Sequence, residues 1–204
     1  MNHHMMNNHH DIDSSLMVFL TMKDLKVGQR MPIYFPKRDP STSPKLWPKQ
    51  EADSVPFSLE KLPQLLQFFG ILEKDSEFRV LSTSHKTKSS VSFQNYTMLE
   101  DIKEMEAPKM VACHTMPYPY GVFYCHSQTT LNKVYRVPLE GDNGDKVEAI
   151  VVCHLDTSEW GSSHPSFQVL GVKPGTSSVC HFFPDDNLIF VPIVVQSDAG
   201  FSAM

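Results

Sequence analysis

The four cysteines of this 204-residue chain are each followed directly by histidine: Cys113-His114, Cys125-His126, Cys153-His154 and Cys180-His181. Thiols and imidazoles are the side chains best suited to disulfide formation and metal ligation, so the repeat raises a question of chemistry. With ten histidines present, a given position is His roughly one time in twenty, and four coincidences arise on the order of once in 10^5 sequences. Adjacent residues of an extended strand point to opposite faces, so the Cys and His of one pair do not serve the same centre. If the strands converge, His114, His126, His154 and His181 line one pocket while Cys113, Cys125, Cys153 and Cys180 face the packed side and form two disulfides. Connectivity stays open among three pairings. An imidazole cluster suits copper, zinc, iron or nickel; the Cys-x-x-Cys spacing of structural zinc sites is absent, which places copper ahead of zinc. The alternative is that the histidines are ordinary satisfied polar residues and only the disulfides matter. Asp156 follows His154 by two and shares its strand face, which makes its carboxylate a candidate orienter of that imidazole.

The elements that must hold these residues are mainly strands. The segments KMVACH, GVFYCH, KVYRVPL, EAIVVCHL, FQVLGV and NLIFVPIVV are rich in β-branched and aromatic residues. Turn formers separate them, notably Gly141-Asp142-Asn143-Gly144 and Lys173-Pro174-Gly175. Each Cys-His pair is expected where such a run ends. Two helices are also expected. One lies in LPQLLQFFG, where Leu62, Leu65, Leu66 and Phe69 fall at helical spacing, Pro63 suits a first turn and Gly70 a C-terminal stop. The other starts at Thr97, with Glu100 completing a capping box and Pro108 closing the segment. The fold class is therefore α+β, β-rich, with short helices and a strand-dominated C-terminal half carrying the four pairs. Tyr118, Tyr120, Phe123 and Tyr124 read as core filling, and His85 and His164 as exposed loop residues.

Residues 1–14 are polar and rich in His and Asn, and read as a disordered tail. Residues 15–195 form one domain and residues 196–204 a C-terminal tail. A net charge of −5 with 18 Lys+Arg and no basic stripe argues against a nucleic-acid partner. Leu16 to Leu20 is too short to span a bilayer and lacks the flanks of a signal peptide, so the sequence predicts no transmembrane segment and no export address. Asn95-Tyr96-Thr97 is a glycosylation sequon, relevant in an exported chain.

The gaps between successive pairs are 10, 26 and 25 residues, and on these dipeptides the chain resembles the plant BURP domain, whose signature is four such CH repeats. The segments YPYGVFYCH, VPLEG, VCHLDTSEW, FQVLGVKPGT, VCHFFPDDNLIFVP, DLKVGQRMPIYFPKRDPSTSP and EADSVPFS carry the resemblance over roughly residues 15–195. The chain departs from the family pattern in three ways: a segment with two further cysteines before the first pair is missing, Phe190 stands where many members have Trp, and no signal peptide or repeats precede the domain. The resemblance implies a secreted plant protein of the apoplast, cell wall or storage vacuole, linked to seed development, stress response or wall function, with a cell-wall component or partner enzyme as its target. It implies copper as cofactor and the four histidines as ligands. It also implies, as an alternative, a copper-dependent peptide cyclase that crosslinks Tyr or Trp side chains of a peptide substrate, with the same four histidines catalytic.

Overall fold

A computed structural model describes residues 18–36, 78–87, 91–107, 110–116, 122–127 and 130–193, with the isolated positions 48 and 50. The expected tails, the helix over residues 62–70, Tyr118 and Tyr120 lie outside these residues. The described part is built from twelve strands: β1 (Phe19–Leu20), β2 (Arg30–Tyr34), β3 (Phe78–Leu81), β4 (Ser84–His85), β5 (Phe93–Met98), β6 (Lys103–Met105), β7 (Val111–Met116), β8 (Val122–Ser127), β9 (Asn132–Gly141), β10 (Lys146–His154), β11 (Val179–Phe182) and β12 (Leu188–Pro192). A 3-10 turn covers Met22–Asp24, and α1 spans Pro165–Leu170. All pairings are antiparallel and fall into two sheets. The larger runs β1-β11-β10-β9-β5-β2, with β4 against β10 and β6 against β9; the smaller runs β3-β12-β7-β8.

The long hairpin β9–β10 organises the molecule. Its turn, Gly141 to Asp145, has Gly144 at φ 85, a backbone region that favours glycine. That turn fixes a register running from Lys146↔Glu140 to His154↔Asn132. From Ala149 to Cys153, strand β10 reads as an unbroken apolar run because both of its faces are buried there. Val147, Ala149, Val151 and Cys153 enter one core cluster with Leu20, Ile33, Tyr96, Leu139, Cys180 and Phe182. Ile150 and Val152 enter a second, with Ala112, Ile189, Val191, Leu81 and Phe183. Because that second cluster mixes residues of both sheets, it is the layer between them. Each fully buried aliphatic side chain here contributes about 1.5–3 kcal/mol.

The expected α+β class is corrected to an all-β framework with one short α-helix among the described residues. The capping-box segment after Thr97 is not helical. Tyr96 and Met98 are buried with the period of a strand, β5 is held between β2 and β9, and Asp101 takes φ 76, which interrupts the chain before β6. Burial of alternate side chains in a sheet outweighs a local capping preference. FQVLGV, expected as a strand, forms most of α1 instead. His164 is its N-cap, Pro165 occupies its first turn, and Gly171 closes it at φ 64. The placement of Cys-His pairs at strand ends holds only for His154; the other three histidines lie inside β7, β8 and β11.

Candidate functional site

In both sheets the cysteines occupy directly opposed positions of an antiparallel pair: Cys113↔Cys125 in β7–β8 and Cys153↔Cys180 in β10–β11. Both pairs are disulfides, with Cα separations of 4.0 and 3.9 Å. In antiparallel strands, the residues that follow two opposed positions sit diagonally to each other on the opposite face, within reach of long side chains. The Cys-His dipeptide, used on both strands, therefore yields a cross-strand disulfide on one face and a histidine pair on the other. His114 Nε2 lies 3.3 Å from His126 Nε2, and His154 Nε2 lies 3.3 Å from His181 Nε2. The rings of each pair are close to parallel, at 16° and 20°.

Both pairs project between the sheets, at the margin of the second core cluster. His126 is opposite Ala112, and His181 is opposite Val152. All four rings border one small cavity with Met110, Ala112, Val152 and Phe183. Phe183 stands between the pairs, its ring centre 5.2 Å from that of His114 and 5.0 Å from that of His181. Backbone bonds fix it there: Phe183 N donates to Ile150 O, and Phe183 O accepts from Thr83 Oγ1.

On their solvent side the four histidines open onto a pocket of about 660 Å³, also lined by Phe19, Tyr34, Trp160, His164, Pro184 and Asn187. Trp160 lies between His154 and His164, with ring centres 5.0 and 4.7 Å away. His164, expected as an exposed loop residue, thus borders the site and accepts at Nδ1 from Ser166 N at the start of α1. His85 is exposed as expected, on β4 against Phe35. Phe123 and Tyr124, expected in the core, are 42% and 59% exposed, and the Tyr124 ring lies 5.7 Å from that of His126. Among the described strands β8 is the edge of its sheet, with β7 as its one described neighbour.

The ring nitrogens away from the pairs meet two asparagines. His154 Nδ1 is 2.7 Å from Asn132 Oδ1, and His114 Nδ1 is 3.0 Å from Asn187 Nδ2. Asp156 is exposed, and its carboxylate accepts from Ser158 N, which holds its pKa below the usual range. Asn132, the cross-strand partner of His154, is the residue that meets this ring. Asn132, Asn187, Phe183 and Trp160 escape sequence reading. Only Asn132 has a signal, since counting back from the Gly141 turn sets it opposite His154.

Burial and neighbouring imidazoles push His154 down to about 4 and His181 down to about 3, and burial lowers His126 and His164 as well. At neutral pH these rings are uncharged and keep a lone pair, the form that ligates metals. Two nitrogens on one tetrahedral ion with bonds of about 2.0–2.1 Å stand about 3.3 Å apart, which matches the separation within each pair. Among the described residues, no group of three or more His, Cys, Asp or Glu is close enough to hold one ion. The residues thus fit two two-nitrogen sites rather than a single four-histidine centre.

Two antiparallel sheets, each carrying a disulfide-linked pair of antiparallel strands with a diagonal histidine pair turned toward the other sheet, define a disulfide-stapled β-protein with a paired-imidazole cleft. The BURP domain profile matches residues 18–77 and 71–192, and the chain belongs to the BURP-domain family. It is 34% identical to the BURP domain-containing protein BNM2C of Brassica napus, over 88% of this chain and 81% of that protein. It is 35% identical to the BURP domain protein USPL1 of Arabidopsis thaliana, over 88% and 81%. It is 31% identical to the BURP domain protein RD22 of Arabidopsis thaliana, over 89% and 57%. The first two alignments run over 228 positions, more than the 204 residues present, so those relatives contain stretches that this chain lacks. The profile match divides at residues 71–77, ahead of the first Cys-His pair.

Proposed function

We propose that this chain is an exported plant BURP-domain protein that binds copper at two histidine pairs, His114–His126 and His154–His181, and serves seed development, stress response or the cell wall through a wall component or partner enzyme. The observation that carries the copper reading is the 3.3 Å separation of facing Nε2 atoms in both pairs, with burial lowering the pKa of His126, His154 and His181. Two disulfides among the described residues suit an oxidising compartment. No helix among the described residues is long and apolar enough to cross a membrane. The test is titration of metal-free protein with Cu(II) under oxidising conditions, read by equilibrium dialysis and electron paramagnetic resonance. Two ions per chain are expected, falling to one when His154 and His181 are both replaced by Gln. No uptake above that of a variant lacking all four histidines would reject the reading.

A second reading, a copper-dependent peptide cyclase, is favoured by the pocket of about 660 Å³ beside the pairs. Bound copper would supply one-electron oxidation of a phenol or indole. The chain's own part is to hold the four rings in place, to seat an aromatic side chain of the peptide against Trp160 and Tyr34, and to exclude water with Phe19 and Phe183. Incubation of copper-loaded protein with Tyr- and Trp-containing peptides under oxygen, which takes up the two electrons and two protons, would show loss of two hydrogens per crosslink by mass spectrometry. Unchanged peptides with copper bound would leave the binding function alone.

A further inference from the structure

Resting on the copper reading, we propose that Asn132 and Asn187 are positioning residues that hold His154 and His114 in opposite tautomers, so that the His154–His181 pair is prepared for a metal ion and the His114–His126 pair is held back. The orientation of each amide is set by a backbone group whose role has no ambiguity. Asn132 Nδ2 donates to the Thr130 carbonyl at 2.6 Å, so its Oδ1 faces His154 Nδ1, which must carry the proton. Asn187 Oδ1 accepts from the Thr115 backbone N–H at 3.2 Å, so its Nδ2 faces His114 Nδ1, which must be bare. Neutral His154 therefore presents a lone pair at Nε2, whereas His114, with Nδ1 bare, carries its proton at Nε2.

Each 3.3 Å contact within a pair then contains one proton. It sits on His181 in one pair and on His114 in the other. For both rings of a pair to ligate through Nε2, that proton must transfer to Nδ1 of its own ring through solvent. At His114 that transfer is opposed, because a proton on Nδ1 would meet the amide donor of Asn187. Rotating that amide would turn its NH2 toward Thr115 N–H and Thr115 Oγ1, which now approach Oδ1. The two pairs share the same spacing and ring geometry but differ in the cost of becoming ligands.

The assignment is tested first without metal, by 15N-detected NMR of the histidine rings in the metal-free full chain. His154 should show a protonated Nδ1 and His114 a protonated Nε2. Asn132→Asp keeps the acceptor and the His154 tautomer, Asn132→Ala releases it, and Asn187→Asp converts His114 to the Nδ1-protonated form. Copper titration of the same proteins should give two steps in the wild type. Asn132→Ala should weaken the tighter step about 10- to 100-fold, and Asn187→Asp should tighten the weaker step and leave the other unchanged. Identical tautomers at His154 and His114, or a His154 tautomer indifferent to Asn132→Ala, would overturn the proposal. Correct tautomers with two equal copper steps would overturn the inequality of the pairs. Correct tautomers with no copper uptake would support the assignment and remove the copper reading.

Discussion

Cys153 and Cys180 face each other across β10 and β11 with their Cα atoms 3.9 Å apart, and the histidine after each one turns to the other side of the sheet. The bond thereby pins the register that brings His154 and His181 together. Replacing both cysteines by serine should lower unfolding free energy by about 2–5 kcal/mol, measured by urea denaturation. If the bond also positions the rings, the variant should lose copper at this pair while uptake at His114–His126 persists.

The buried imidazoles make metal-free stability depend on pH. In the unfolded chain a histidine binds its proton near pH 6.5, whereas folded His154 and His181 stay neutral down to about 4 and about 3. Across that window the unfolded state holds more protons, so stability is greatest above pH 6.5 and is lost as pH falls. The slope is about 1.4 kcal/mol per pH unit for each histidine. Urea midpoints between pH 4.5 and 7 check this, and a His154→Gln, His181→Gln double variant should flatten the slope. An unchanged slope would assign it to other groups.

Phe183 is 1% exposed and separates the two pairs. Phe183→Ala should destabilise by about 3–5 kcal/mol through the cavity it leaves, while Phe183→Leu should cost less and keep the pairs apart. Chemical denaturation gives both values. A cost for Phe183→Ala near that of an exposed residue would mean that the sheets close over the gap.

Gly171 ends α1 at φ 64 with nothing within 4 Å of an added Cβ. Gly171→Ala is therefore a pure test of backbone strain and should cost about 1 kcal/mol. If thermal unfolding shows no loss, the turn after α1 relaxes freely. His164 and Trp160, carried by α1 and the loop before it, would then have a less rigid support.

Much of the architecture is legible from local pattern. Alternating and continuous apolar runs mark β7 to β10 and β12, and the Gly141–Gly144 stretch marks the turn between β9 and β10. The errors fall where two local signals compete. After Thr97 a capping box coincides with the buried alternation of Tyr96 and Met98, and partner strands decide the outcome. At FQVLGV, Val and Leu suggest a strand, while Pro165 and Gly171 bracket a single turn and a half of helix. Phe123 and Tyr124 look like core residues but stand exposed on β8, the edge of its sheet among the described strands.

By itself the sequence determines that Cys and His of each dipeptide part to opposite faces, because side-chain direction alternates residue by residue along any strand. It determines, too, that four matched dipeptides form a set. Only the tertiary structure decides which cysteines meet, that the histidines stand as two pairs with Phe183 between them, and that Asn132 and Asn187 attend different rings with opposite polarity. Those facts depend on strand register and on the stacking of one sheet over the other. Both are set by contacts between residues far apart in the chain, such as Asn187 and His114, which no local spacing records.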